Sequence, residues 1–152
     1  MSWLLDVNLI LASRWTTHSD HLAAKAWIDS VGEFYTCAIT ELGFLRISLS
    51  VGYQATWDET QEALEKLRAR PGARFLADDV DGVASTETSS KDTTDAHIVA
   101  LAKRHGLKLA ALRLDPLAPA NFLPLGIARG GAARSKTSVH CLFSRRGAED
   151  AE

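Results

Sequence analysis

The sequence has few cysteines and no long apolar run. Its 152 residues include two cysteines, Cys37 and Cys141, which form neither a CxxC pair nor a zinc-ligand spacing. We therefore expect reduced thiols and a cytoplasmic location. No apolar run approaches the ~20 residues that a membrane-spanning helix requires, so we expect no membrane partner. The apolar start, MSWLLDVNLILASRW, contains Asp6 and Asn8 and lacks a basic segment before it, which argues against a signal peptide.

The chain also lacks a large excess of charge of either sign. A formal net charge of −2 argues against a broadly basic surface that binds nucleic acid. It does not argue against an enzyme that acts on nucleic acid, because such an enzyme needs only a local basic rim and a metal site. No glycine-rich phosphate loop is present, and no lysine ends the last predicted strand. A small-molecule phosphotransferase resembling a response-regulator receiver is therefore disfavoured.

What the sequence does contain is an alternation of short apolar runs and amphipathic segments. The predicted strands are 2–7, 33–39, 73–78 and 107–112, and the predicted helices are 8–15, 17–32, 40–50, 56–72 and 93–106. This alternation predicts an α/β fold with a mostly parallel sheet. Thr40 is the predicted N-cap of its helix. The predicted buried face of helix 17–32 consists of Leu22, Ala23, Ala26, Trp27 and Val31.

The end of the chain differs in composition from the rest. Residues 116–152 contain segments rich in glycine, serine and charge, such as ARGGAARSKTSV, with no periodicity. We therefore predict one domain over residues 1–115, followed by a poorly ordered C-terminal tail over 116–152.

Three acidic residues stand at junctions between the predicted elements. Asp6 ends the first strand, Glu41 follows the second, and Asp95 begins the helix before the last strand. In a parallel sheet, these junctions converge on the edge where open α/β sheets bind ligands. Carboxylates gathered there would repel one another unless a hard cation such as Mg²⁺ or Mn²⁺ neutralised them. Each acid taken singly is equally well explained as a helix cap or dipole partner.

Several segments, in the right order and spacing, resemble one known family. LLDVNLILA, ITELGFLRIS and TDAHIVALAKRHGLKLAAL, with HLAAKAWI and RFLADDV between them, resemble PIN-domain ribonucleases of the VapC toxin type. The resemblance covers about residues 3–112. It implies a three-layer α/β/α sandwich, a Mg²⁺-dependent endoribonuclease that cleaves RNA, a VapB-type antitoxin as protein partner, and a homodimer.

The resemblance also assigns roles to individual residues. Asp6, Glu41 and Asp95 match the acids that bind the metal and carry out catalysis, with Asn8 in a supporting position and Thr40 beside Glu41. The implied reaction is in-line attack of a metal-activated water on an RNA phosphodiester, with one carboxylate, Glu41 as we expect, orienting or deprotonating the water. For RNA binding, Arg46 is the best of several basic candidates, although for any one of them a solvated helix face is the favoured explanation.

The chain departs from the family at the end of the last strand. A fourth acid is expected there, but the position holds Arg113, and the nearest carboxylate is Asp115. Arg113 could face the site and attract phosphate, Asp115 could replace the missing acid, or the reading frame could have changed at this point. A catalytically weakened or inactive PIN fold that only binds antitoxin or RNA is therefore the alternative to an active ribonuclease.

Overall fold

A computed structural model describes residues 1–82 and 92–112, together with the backbone of 140–142. One or two helices separate each strand from the next through β4, as the apolar patterning predicts. In chain order they are β1 (Trp3–Leu5), α1 (Val7–Arg14), α2 (His21–Ser30), β2 (Phe34–Cys37), α3 (Ala38–Ser48), α4 (Trp57–Arg68), β3 (Ala73–Leu76), α5 (Thr93–Arg104), β4 (Lys108–Ala111) and β5 (His140–Leu142).

The strands form one sheet with the order β3-β2-β1-β4-β5. Strands β1 to β4 run parallel, and β5 runs antiparallel to β4. Leu4 of β1 lies beside Tyr35 of β2 on one side and Leu109 of β4 on the other. The carboxyl ends of the parallel strands therefore meet at one edge, which is the edge that precedes α1 and α3.

Helices cover both faces of the sheet. Successive strand residues point to opposite faces, so Leu5 packs into a core shared with α1 to α4, whereas Leu4 packs into a second core with α5. In the first core, Phe34 and Phe44 are almost fully buried, and in the second Ile98 and Leu101 are. The predicted three-layer α/β/α sandwich with a mostly parallel sheet is confirmed.

Two details of the predicted helices are wrong. Helix α3 begins earlier than predicted, with Cys37 as its N-cap, and Thr40 is the third residue of the helix, where its hydroxyl accepts from the Cys37 N–H at 3.1 Å. Helix α2 is rotated relative to its predicted face, because it buries Ala24 and Ile28 while Leu22 is 82% exposed. The reason is that α2 packs against α1, where the His21 ring lies 2.8 Å from the Ala12 carbonyl oxygen.

Part of the predicted C-terminal tail contributes to the sheet. Residues 140–142 pair with β4, with Cys141 opposite Ala110. The remainder of 113–152 lies outside the described residues. In the part of the chain that is described, no helix is long and apolar enough to cross a bilayer.

Candidate active site

Asp6 lies at the point where β1 gives way to α1. Its backbone is extended and caps the start of α1, and its N–H donates to the Ala110 carbonyl of β4 at 2.8 Å. Its own carbonyl accepts from the Ile10 N–H at 3.1 Å, in the first turn of the helix. The backbone of Asp6 is thus held by both the sheet and the helix, and this fixes the start of its side chain at the carboxyl edge of the sheet.

The carboxyl group of Asp6 is in an environment that disfavours its charge. Its pKa is raised from 3.8 to about 6. Burial is the largest cause and the negative charge of Asp95 acts in the same direction, whereas the backbone N–H groups of Val7 and Asn8 lower the pKa. The structure describes no lysine, arginine or histidine paired with this carboxyl among residues 1–82 and 92–112. A buried acid without a basic partner is stabilised by a cation or a proton.

Asp95 lies in the first turn of α5, on the opposite face of the sheet from α3. Burial raises the pKa of its carboxyl, and the negative charge of Asp92 raises it as well. The first turn of a helix favours negative charge, yet the pKa is raised here because desolvation, and to a lesser extent the charge of Asp92, disfavour the charged form. The charge of Asp95 in turn raises the pKa of Asp6, so these two acids interact electrostatically.

This pair suits a hard divalent cation. Two carboxylates with raised pKa values supply oxygen ligands. A cation bound to them would offset the desolvation of their charges and the repulsion between them. Within the described ranges, no three His, Cys, Asp or Glu side chains are grouped closely enough to hold a metal. Asp6 and Asp95 are the described acids of this edge whose carboxyl pKa values are raised, which makes them the candidates for metal binding.

Glu41 is close to the same edge but has different partners. Its side chain is buried against β2, where the Thr36 hydroxyl donates to Oε1 at 2.7 Å. The Nε atom of Arg68, from the last turn of α4, lies 3.1 Å from the same oxygen. Both partners thus engage Oε1, and the structure describes no partner for Oε2. The structure does not bring Glu41 into the pair of acids formed by Asp6 and Asp95.

The predicted supporting residues occupy different positions. Asn8 is partly buried beside Asp6, and its backbone N–H favours the charged form of that carboxyl. The Thr40 hydroxyl is fully buried and donates to the Cys37 carbonyl at 3.1 Å, so it stabilises the start of α3. Arg46 is exposed on α3, with no described contact to Glu41. The Arg113 and Asp115 positions lie outside the described residues.

Sequence reasoning missed two contacts of this region. Neither Thr36 nor Arg68 was a candidate, because a threonine in a strand and an arginine in the last turn of a helix have ordinary structural roles. It also missed ion pairs between the segment after β3 and α5. These pairs join Asp78 to His97 at 2.8 Å, and Asp79 to Arg104 and His105 at 2.8 Å each.

Comparisons with known proteins agree with this architecture. The model of the PIN-domain family matches residues 3–113. Ribonuclease VapC38 of Mycobacterium tuberculosis is 35% identical over 118 residues, which cover 70% of this chain and 81% of the relative. Ribonuclease VapC39 of the same organism is 33% identical over 120 residues, covering 72% and 86%.

A solved structure supports the fold independently of sequence. The crystal structure of Mycobacterium tuberculosis VapC20, a sarcin–ricin-loop-cleaving toxin, matches with a TM-score of 0.55 and 13% identity, covering 69% of this chain and 84% of that one. At this identity the match shows the fold alone. The family model and the two ribonucleases, together with this fold, show that the chain is a PIN-domain protein. The chain belongs to this family and, within it, to the VapC type of toxin ribonucleases, so the predicted family is confirmed.

Proposed function

We propose that the chain is a divalent-metal-dependent endoribonuclease toxin that cleaves RNA phosphodiester bonds. The observation that carries the proposal is the coupled pair of Asp6 and Asp95, which lies at the carboxyl edge of the sheet without a basic partner among the described residues. The ribonuclease names of the relatives support the reaction class. We propose Mg²⁺ as the metal, with Mn²⁺ as a substitute of similar ligand preference.

Each acid has a separate role in this proposal. Asp6 and Asp95 hold the metal, which when bound supplies Lewis-acid activation of water and neutralises charge on the phosphate. Glu41 orients the attacking water and accepts its proton at Oε2, because Oε1 is engaged by Thr36 and Arg68. Thr36 and Arg68 are thus positioning residues, since they fix the direction in which the Glu41 carboxylate points.

The test is cleavage of RNA by the purified chain with and without metal. We expect cleavage in Mg²⁺ that EDTA abolishes, and a loss of at least ~100-fold in Asp6→Asn, Asp95→Asn and Glu41→Gln. Glu62→Gln is the matched control, because Glu62 is an exposed α4 acid paired only with Lys66, and it should retain full activity. Circular dichroism of each variant establishes that it is folded. Full activity of Asp6→Asn in Mg²⁺ would refute the mechanism.

The proposed protein partner is a VapB-type antitoxin, and the proposed location is the cytoplasm. The names of the relatives support this pairing, because VapC proteins are the toxin members of toxin–antitoxin pairs. We expect a cognate antitoxin to abolish cleavage at an equimolar amount. We also propose a homodimer, which sedimentation equilibrium of the toxin alone would test. A monomer at micromolar concentration would contradict that part.

A further inference from the structure

A shallow pocket lies beside Glu41, at the outer strand of the sheet. Its volume is about 120 Å³, and it is lined by Phe34, Thr36, Arg68, Ala73, Arg74 and Phe75. Thr36 lines this pocket and also donates the hydrogen bond to Glu41. Two lining residues, Thr36 and Arg68, therefore connect the pocket to Glu41, the group that we propose as the catalytic base.

An arginine and an exposed aromatic ring form one side of the pocket. The guanidinium carbon of Arg68 lies 5.4 Å from the centroid of the Phe75 ring, while its Nε faces Glu41. Phe75 is 51% exposed, although Thr36, the residue beside it in β2, is buried. Half of the Phe75 ring is therefore accessible to a ligand. Of the nitrogens of Arg68, the described contacts use only Nε, which leaves the terminal N–H groups able to donate to a ligand.

A second arginine, Arg74, also lines the pocket. Arg74 precedes Phe75 in β3, and its side chain is 60% exposed. Its Nε is 3.8 Å from a carboxylate oxygen of Glu33, a separation at the long end of an ion pair in open solvent. Arg68 and Arg74 thus both line the pocket that contains Phe75, and of the two only Arg68 has a described contact with the ring.

This combination of groups matches the chemistry of a nucleotide. Guanidinium groups bind phosphate through paired hydrogen bonds, and an exposed aromatic ring stacks on a base of any sequence. The pocket is smaller than the roughly 300–1,000 Å³ of sites that enclose drug-sized ligands, so it suits a single planar group. A purely apolar peptide would leave the terminal N–H groups of Arg68 without an acceptor.

We propose that this pocket binds one nucleotide of single-stranded RNA next to the bond that is cut. The base lies against Phe75, and the phosphate accepts hydrogen bonds from the terminal N–H groups of Arg68. The proposal rests on the proposed ribonuclease function, and it places the RNA strand along β3 so that the scissile phosphate reaches the acids. Arg68 then contacts both Glu41 and the RNA, which couples substrate binding to the orientation of the base.

The test measures binding separately from cleavage. Fluorescence anisotropy with a labelled single-stranded RNA, in EDTA at low salt, gives the Kd of the wild type, Phe75→Ala, Phe75→Leu and Arg68→Gln. We expect both Phe75 variants to weaken binding by roughly 5- to 150-fold, because leucine keeps apolar area but not a stacking surface. Arg68→Gln should reduce the slope of log Kd against log salt by about 0.7, which corresponds to one lost phosphate contact.

Matched controls are available on α4. Trp57 is an aromatic residue with similar exposure, 54%, and Lys66 is a cation whose side chain is 66% exposed. Trp57→Ala and Lys66→Gln should leave the Kd within about twofold. Thermal melts of all variants, Phe75→Leu above all, establish that any loss of binding occurs in folded protein.

The outcomes separate this proposal from the function on which it rests. If the wild type cleaves RNA in Mg²⁺ but Phe75→Leu and Arg68→Gln keep the wild-type Kd, the pocket is refuted and the ribonuclease function stands. If the wild type does not cleave, the proposed function fails, and selective loss of binding in the Phe75 variants still supports the pocket. Equal losses in Phe75→Ala and Trp57→Ala would overturn it.

Discussion

Replacing Asp6 by asparagine should stabilise the metal-free protein while removing its activity. The carboxyl of Asp6 has a pKa of about 6, against an ordinary value of 3.8. A shift of this size corresponds to about 3 kcal/mol of unfavourable free energy when the group is charged in the folded state. Asparagine has nearly the same shape without the charge, so we expect the free energy of unfolding to rise by about 1–3 kcal/mol at pH 7.5.

The effect should depend on pH with a definite sign. Between about pH 4 and pH 6, the folded chain retains a proton on Asp6 that the unfolded chain has released. The contribution of Asp6 to the free energy of unfolding therefore falls as pH rises through this window and is constant above it. The advantage of Asp6→Asn should be largest above pH 6 and should shrink towards zero near pH 4.

Urea unfolding in EDTA, followed by circular dichroism at a series of pH values, measures this difference. Glu62→Gln is the control, because its exposed ion pair with Lys66 should change stability by no more than about 0.5 kcal/mol at any pH. Millimolar Mg²⁺ should stabilise the wild type but not Asp6→Asn, since only the wild type retains the ligand. The reasoning is refuted if Asp6→Asn is no more stable than wild type at pH 7.5, or if its advantage is independent of pH.

Three further substitutions test the scaffold, each by urea unfolding. Thr56→Ala should cost about 1 kcal/mol, because the Thr56 hydroxyl accepts from the Glu59 N–H at the start of α4, and Thr56→Ser should recover most of that loss. Gly72→Ala should cost more than about 1 kcal/mol, since Gly72 has a φ of 81° and an added Cβ would lie 2.0 Å from the Gly32 carbonyl oxygen. Phe44→Ala should cost about 3–5 kcal/mol, because the buried ring stacks on Trp15 with centroids 5.9 Å apart. If any of the three variants is as stable as the wild type, the contribution that we assign to the corresponding contact is wrong.

The parts of the fold that depend on chain order could be predicted from the sequence. Asp6 and Asp95 belong to a strand end and a helix start, and parallel topology brings such junctions to one edge whatever the packing details. The prediction for these two residues needed only the positions of the elements. The face of α2 depended on packing, because several faces of HLAAKAWI are apolar and the neighbour α1 selects the one with Ala24.

The surroundings of Glu41 could not be read from the sequence. The Arg68 side chain reaches Glu41 only because α4 returns alongside β2 and β3, and this placement is a property of tertiary packing. Thr36 lies in a segment whose pattern indicates only a strand. The neighbouring sequence does not indicate that its hydroxyl faces a carboxylate. Only the structure therefore shows that Glu41 is separate from Asp6 and Asp95.

Strand β5 has a consequence for the solubility of the protein. Without it, β4 would be an outer strand, and its unpaired N–H and C=O groups over Leu109–Ala111 would offer a template for another chain. The side chains of this stretch are almost fully buried and apolar, and it carries no charged residue that would discourage pairing with another chain. Residues 140–142, from a region that looks unstructured by composition, therefore protect the sheet against aggregation along that margin.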